Sequence, residues 1–173
     1  MKQCKARALV LTGPGKGKTT AALGVILRSL SYGRRVLLVR FAKARHSGEL
    51  AILGNLPGMK IVSGAFGMTP PEDHPDYPLH VSAARELFAE ARRMAAEFDL
   101  IVFDEICALT SRGVLDENEV AAFVTGLNPA QCVVLTGRGA GAALIAVADT
   151  VSEIGCIKHC YARGVMAQEG IEL

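Results

Sequence analysis

Unbroken apolar runs recur along this chain: Ala8-Leu9-Val10-Leu11, Val36-Leu37-Leu38-Val39, Leu100-Ile101-Val102-Phe103 and Cys132-Val133-Val134-Leu135. Continuous hydrophobicity over four residues, without polar alternation, predicts strands covered on both faces, the habit of a parallel sheet. Between the runs the period changes. Val81, Ala84, Leu87, Phe88, Ala91, Met94, Ala95 and Phe98 recur at steps of three and four, which predicts an amphipathic helix over 81–98. Shorter helical patterns cover 21–31, 49–56, 116–127 and 140–149. Gly33 is placed to end the first of them in a left-handed conformation, and Asp116 to cap the third, with Glu119 spaced for a capping box. A brief strand is expected at 60–62 and an extended segment at 151–160. Four prolines and two glycines within 64–78 predict a long irregular loop there, and loops of that length in compact domains are commonly functional.

Strands alternating with helices, and almost no hairpin signals, predict a three-layer α/β domain with a mainly parallel sheet. No repeat, linker or low-complexity tract divides the chain, so residues 1–173 are expected to form one unit.

The first strand leads into Thr12-Gly13-Pro14-Gly15-Lys16-Gly17-Lys18-Thr19-Thr20, and a helical pattern comes next. Strand, glycine-rich turn and helix are the context in which such a stretch cradles phosphate. Successive backbone N–H groups converge, and the helix N-terminus adds partial positive charge. Lys18 is the expected phosphate contact and the Thr19 hydroxyl a ligand of Mg2+. The general motif has glycine where this chain has Thr12.

The third apolar run ends in Asp104-Glu105, about 85 positions after Lys18. A carboxylate at that strand end completes the magnesium site of P-loop proteins. The fourth run ends in Thr136-Gly137-Arg138-Gly139, a flexible turn that delivers an arginine to the same sheet edge; its planar fork suits phosphate oxygens. Arg40, Lys43, Arg45 and His46 follow the second run, with Gly48-Glu49 after them. A solvated rim is the plain reading of these charges. The ends of parallel strands are also where ligands bind, and Lys43 is the residue this favours most.

Composition adds limits. Half the residues are hydrophobic and 21% charged, enough for a substantial core, and the formal charge of +2 gives no argument for nucleic acid or an anionic membrane. No apolar stretch is long enough for a membrane helix, and the N-terminus has no signal-like apolar region, which points to the cytoplasm. Five cysteines without a Cys-x-x-Cys pair are expected to be reduced structural thiols; Cys156, His159 and Cys160 fall short of a complete zinc set.

Assembled, these pieces resemble the P-loop-type ATP:corrinoid (cob(I)alamin) adenosyltransferases. The resemblance rests on residues 12–22, Phe-x-Lys at 41–43 with Gly48-Glu49, Val-x-Asp-Glu at 102–105 and Leu-Thr-Gly-Arg-Gly at 135–139. It continues through Ala-Asp-Thr-Val-Ser-Glu at 148–153, Ile-Lys-His at 157–159 and Gly-x-x-Ala-Gln-x-Gly-Ile-Glu at 164–172. The Thr12 departure is shared with the family. The resemblance implies a P-loop NTPase-like (RecA-like) fold and transfer of the 5′-deoxyadenosyl group of ATP to a Co(I) corrinoid, with triphosphate leaving. It implies that Lys18 and Glu105 are catalytic and that Thr19, Asp104 and Glu105 hold magnesium. Gly13, Pro14, Gly15, Lys16, Gly17, Lys18, Thr19, Thr20, Lys43 and Arg138 would contact ATP, and Met68 the corrinoid. It further implies a homodimer and a flavoprotein reductant.

Two departures stand out. Family members commonly have Gly-Phe-Thr-Trp where this chain has Gly67-Met68-Thr69-Pro70, and only about seven residues precede the first strand, where an extension often covers the site. A P-loop ATPase or kinase-like enzyme, and a non-catalytic binder of ATP or corrinoid, are the alternative readings.

Overall fold

The protein is described from a computed structural model at residues 5–42 and 48–171. Lys43, Arg45 and His46 therefore lie outside the described residues.

The chain starts with β1 (Arg7–Thr12) and α1 (Lys18–Ser31), then β2 (Val36–Arg40), α2 (Gly48–Leu53) and β3 (Met59–Ser63). After the proline-rich loop come α3 (Tyr77–Met94), β4 (Leu100–Asp104), α4 (Ile106–Ser111) and α5 (Glu117–Thr125). It ends in β5 (Cys132–Thr136), α6 (Ala142–Val147) and β6 (Thr150–Glu153). The strands form one sheet in the order β3-β2-β4-β5-β1-β6, and every neighbouring pair is parallel. Unbroken apolar runs thus became strands buried on both faces, and all carboxyl ends share one edge.

Alternate residues of each strand serve different layers. Leu37, Val39, Ile101, Phe103, Val133 and Leu135 pack with the apolar faces of α3, α4, α5 and α6. Val36, Leu38, Leu100, Val102 and Val134 pack instead against Ala22 and Ile26 of α1 and Leu53 of α2. Phe103, wholly buried, meets Phe41, Phe88 and Phe123 with ring centroids 5.4–5.8 Å apart. Truncating such a ring to alanine typically costs about 3–5 kcal/mol.

Strand order brings the phosphate turn and the acids together. β5 lies between β1, which feeds the glycine-rich turn, and β4, which ends in Asp104. The last residue of β5, Thr136, is therefore wedged between the two.

Several boundaries differ from expectation. The irregular loop stops at 76, because α3 begins at Tyr77 with Pro78 in its first turn, where a missing N–H costs no hydrogen bond. The expected helix over 81–98 closes as α3 and a 3-10 turn, Ala95–Glu97. α4 has no counterpart among the expected helices. The extended segment expected over 151–160 is a strand only as far as Glu153, and a 3-10 turn covers Cys160–Arg163. Asp116 caps α5 by accepting the Asn118 N–H at 2.8 Å, but no capping box forms, since Glu119 pairs with Arg92.

Candidate active site

The glycine-rich turn is built by close approach as much as by positive φ. Gly13 and Gly17 have φ of 98° and 116°, a region that disfavours any Cβ. Gly15 is pressed on the segment that leaves β6: its N–H donates to the Ile154 carbonyl at 2.7 Å, and an added Cβ would lie 2.3 Å from the Gly155 oxygen. The turn then feeds α1, whose first residue is Lys18.

Lys18 is only 7% exposed, and its ammonium donates to the carbonyls of Gly13 at 2.9 Å and Gly15 at 2.6 Å. Burial pushes it below the usual lysine range; Glu105 opposes that shift, Arg138 adds to it and Asp104 opposes it. Thr12, where the general motif has glycine, does not enter the cradle. Its hydroxyl accepts the Ala140 N–H at 3.2 Å and ties the end of β1 to the turn after β5.

The acids are ordered by a short relay. Asp104, 1% exposed, accepts at Oδ1 from the Thr19 hydroxyl at 2.9 Å and the Thr136 hydroxyl at 2.7 Å. Thr136 in turn accepts the Glu105 N–H at 3.0 Å. Among the described residues Glu105 is the only non-glycine with positive φ, at 67°. A bulky residue held left-handed stores about 1–3 kcal/mol of strain, and such residues cluster at functional sites. Arg40 stands opposite Asp104 in the β2–β4 register and is 3% exposed. Burial lowers its pKa, against the pull of Asp104 and Glu49.

These elements enclose a cavity of about 500 Å³. Residues 15–20 form one wall, and Glu105, Arg138 and Glu49 face it. His159, Gly170 and Ile171 also line it, and the Lys16 ammonium donates to the Ile171 carbonyl at 3.1 Å. The His159 Nδ1 accepts the Tyr161 N–H at 3.2 Å.

The structure thus gathers Gly15, Lys16, Gly17, Lys18, Thr19, Thr20, Glu105 and Arg138 around one cavity. Gly13 contributes a carbonyl from behind, Pro14 is exposed, and Asp104 reaches the site through Thr19. Met68 does not line this cavity; it projects from the loop after β3 and is 83% exposed. Thr136 is a site residue that sequence reasoning misses, although a hydroxyl closing an apolar strand before Gly-Arg-Gly is a usable signal. Gly170 and Ile171 join the lining from the motif at 164–172, and Leu23 joins it without any such signal.

The chemistry of the donors fits a hard cation. The Thr19 hydroxyl, which donates to Asp104, and the Glu105 carboxylate both bring hard oxygen atoms to the cavity lining. Among the described residues no three His, Cys, Asp or Glu side chains gather to hold a metal by themselves. Mg2+ commonly binds this way, with one or two carboxylates and substrate phosphates completing its shell.

Comparison with known proteins agrees with the geometry. The chain resembles flagellar accessory protein FlaH from Methanocaldococcus jannaschii in fold, with a TM-score of 0.56 over 86% of this chain and 70% of that one, at 13% identity. Corrinoid adenosyltransferase from Escherichia coli (strain K12) is 35% identical over 95% of this chain and 84% of its own length. Corrinoid adenosyltransferase CobA from Salmonella typhimurium is 34% identical over the same shares, and the Pseudomonas aeruginosa enzyme 34% over 95% and 82%. Residues 5–173 match the family "ATP:corrinoid adenosyltransferase BtuR/CobO/CobP", and the chain belongs to that family.

Proposed function

We propose that this enzyme, an ATP:corrinoid adenosyltransferase, uses the cavity over residues 15–20 to hold ATP by its triphosphate while Co(I) of a reduced corrinoid attacks the 5′ carbon. The cobalt electron pair forms the Co–C bond, the C5′–O bond breaks, and triphosphate departs with the bonding electrons. The observation that carries this reading is the cluster of Lys16, Lys18 and Arg138 on one cavity, in a chain that matches the family from residue 5 to its end.

Cobalt supplies the nucleophile, so the protein's task is alignment and charge. Lys18 is preorganised by two carbonyls, and triphosphate oxygens would take over its ammonium. Lys16, Arg138 and the N–H groups of the turn would face the same charge as it accumulates on the leaving group. Thr19 and Glu105 would hold Mg2+, with Asp104 fixing the Thr19 hydroxyl from behind. When bound, the ion neutralises leaving-group charge as a Lewis acid. Lys43 is assigned to ATP by the family motif Phe-x-Lys, and Met68 to the corrinoid by its place in the loop where family members commonly have Gly-Phe-Thr-Trp. The reading carries with it a cytoplasmic homodimer served by a flavoprotein reductant; no helix of the described residues is long and apolar enough to cross a membrane.

The test is incubation with ATP, magnesium and chemically reduced cobalamin, followed optically and by product analysis. Adenosylcobalamin and triphosphate in equal amounts are expected, and Lys18→Ala should abolish both. ADP and phosphate with unmodified cobalamin would overturn the reading.

A further inference from the structure

The loop after β3 is fastened at two points, and its most exposed apolar side chain lies between them. On one side, the Phe66 ring stacks on His80 of α3, with centroids 4.6 Å apart and planes 28° from parallel. On the other, the Arg112 guanidinium donates from Nη1 to the Thr69 carbonyl at 2.6 Å and from Nη2 to the Pro70 carbonyl at 2.5 Å. Thr69 is 7% exposed, and Pro70 and Pro71 stiffen the exit. Gly67 and Met68, between the fasteners, project outward, and Met68 is 83% exposed. A planar fork on two successive carbonyls fixes direction as well as position, which a single lysine contact does not.

Arg112 is also tied to the reaction centre. It is the C-terminal cap of α4, and Glu105 is the cap at the other end. The six residues between them rise roughly 9 Å, and four of them (Ile106, Cys107, Leu109 and Thr110) are buried. A short rigid rod therefore relates the acid on the ATP cavity to the loop that presents Met68.

The geometry points to Arg112 as a positioning residue for the corrinoid: it holds the 66–70 loop so that Met68 meets the substrate in a preset place. This rests on the proposed adenosyl transfer. A preset loop spares the substrate the cost of ordering it, so release of the clamp falls on corrinoid binding and not on ATP.

The experiment compares Arg112→Ala and Arg112→Lys with the wild-type enzyme. Arg112 is exposed outside its clamp, so both variants are expected to fold, with thermal midpoints checking it. In Arg112→Ala the KM for reduced cobalamin should rise about tenfold, with KM for ATP and kcat at saturating corrinoid within about twofold. Arg112→Lys should recover part of the loss. Amide exchange across 64–76 should quicken in Arg112→Ala and nowhere else. An unchanged corrinoid KM in an active enzyme overturns the proposal alone, as does a parallel rise in both KM values. A wild-type chain that makes no adenosylated corrinoid overturns the functional reading, and this proposal with it.

Discussion

Thr136 hands the position of Asp104 on to Glu105: its hydroxyl donates to Asp104 Oδ1 at 2.7 Å and accepts the Glu105 N–H at 3.0 Å. One buried hydroxyl thus satisfies an acid behind the cavity and holds the left-handed backbone of the acid that faces it. The strand order is what makes this possible, since β5 separates the strand of the phosphate turn from the strand of the acids.

Thr136→Val keeps the shape and removes both hydrogen bonds. It leaves a buried carboxylate oxygen with one partner fewer and a backbone N–H with none from this side chain. Partners one layer behind a metal ligand typically control about 10–100-fold of activity, and with Thr19 and Glu105 as the proposed magnesium ligands that loss in kcat is expected. Thr136→Ser should restore most of it. Steady-state adenosylation with the three proteins decides, and equal rates for Val and Thr would show that the relay is idle.

Gly15→Ala tests whether the phosphate turn is braced from the C-terminal side. Its Cβ would meet the backbone oxygen of Gly155 at 2.3 Å, and a main-chain neighbour has no rotamer with which to yield. The segment after β6 must move, taking with it the wall that carries His159. ATP affinity by titration calorimetry should fall by more than about tenfold, equivalent to roughly 1.4 kcal/mol. Unchanged affinity would mean that the close approach is not needed for binding.

Much of the fold is readable from the residues alone, and the parts that are not have physical reasons. Runs such as Val36-Leu37-Leu38-Val39 announce doubly covered strands because they are short, hold β-branched residues and follow a turn residue such as Gly33. Gly15, Lys18, Thr19 and Glu105, which the structure gathers around one cavity, are legible because the proposed phosphate chemistry asks for those types at those places. α4 is not, because Ile106–Ser111 is too short to show a period and starts from a left-handed Glu105 that no propensity anticipates. Thr136 needs the strand order. Arg40 reads as one charge of a rim, and only packing shows it buried beside Asp104. That His159, Gly170 and Ile171 line the cavity depends on the path of the chain after β6, where no local pattern records which surface the tail meets.

Gly24→Ala is expected to stabilise. Gly24 lies inside α1 on its exposed side, with helical backbone and nothing within 4 Å of an added Cβ. The alanine narrows the unfolded ensemble without touching the fold, a gain of about 0.5–1 kcal/mol. Chemical denaturation should show a higher midpoint at unchanged slope. A lower midpoint would mean that the helix face meets something at that position in solution.

Asp149 supplies a pH-dependent stabilisation whose direction is fixed. Its carboxylate pairs with Lys5 at 2.8 Å and accepts the Ala8 N–H at 2.8 Å, while its own N–H donates to the Ala8 carbonyl at 2.8 Å. It thereby sets the entry of β6 against β1. The Lys5 contact first, and the Ala8 N–H second, hold its pKa below the ordinary value of 3.8. A depressed carboxylate stabilises fully above that ordinary value and loses its contribution as pH falls through the folded one. Asp149→Asn keeps the shape and removes the charge, so it should lower Tm by about 3 °C at neutral pH. The gap between variant and wild type should narrow below pH 3.8 as the wild-type carboxylate takes up its proton. Calorimetric melts from pH 7 downward check this: a gap that stays constant as pH falls would show that the carboxylate's charge contributes nothing to holding the edge strand.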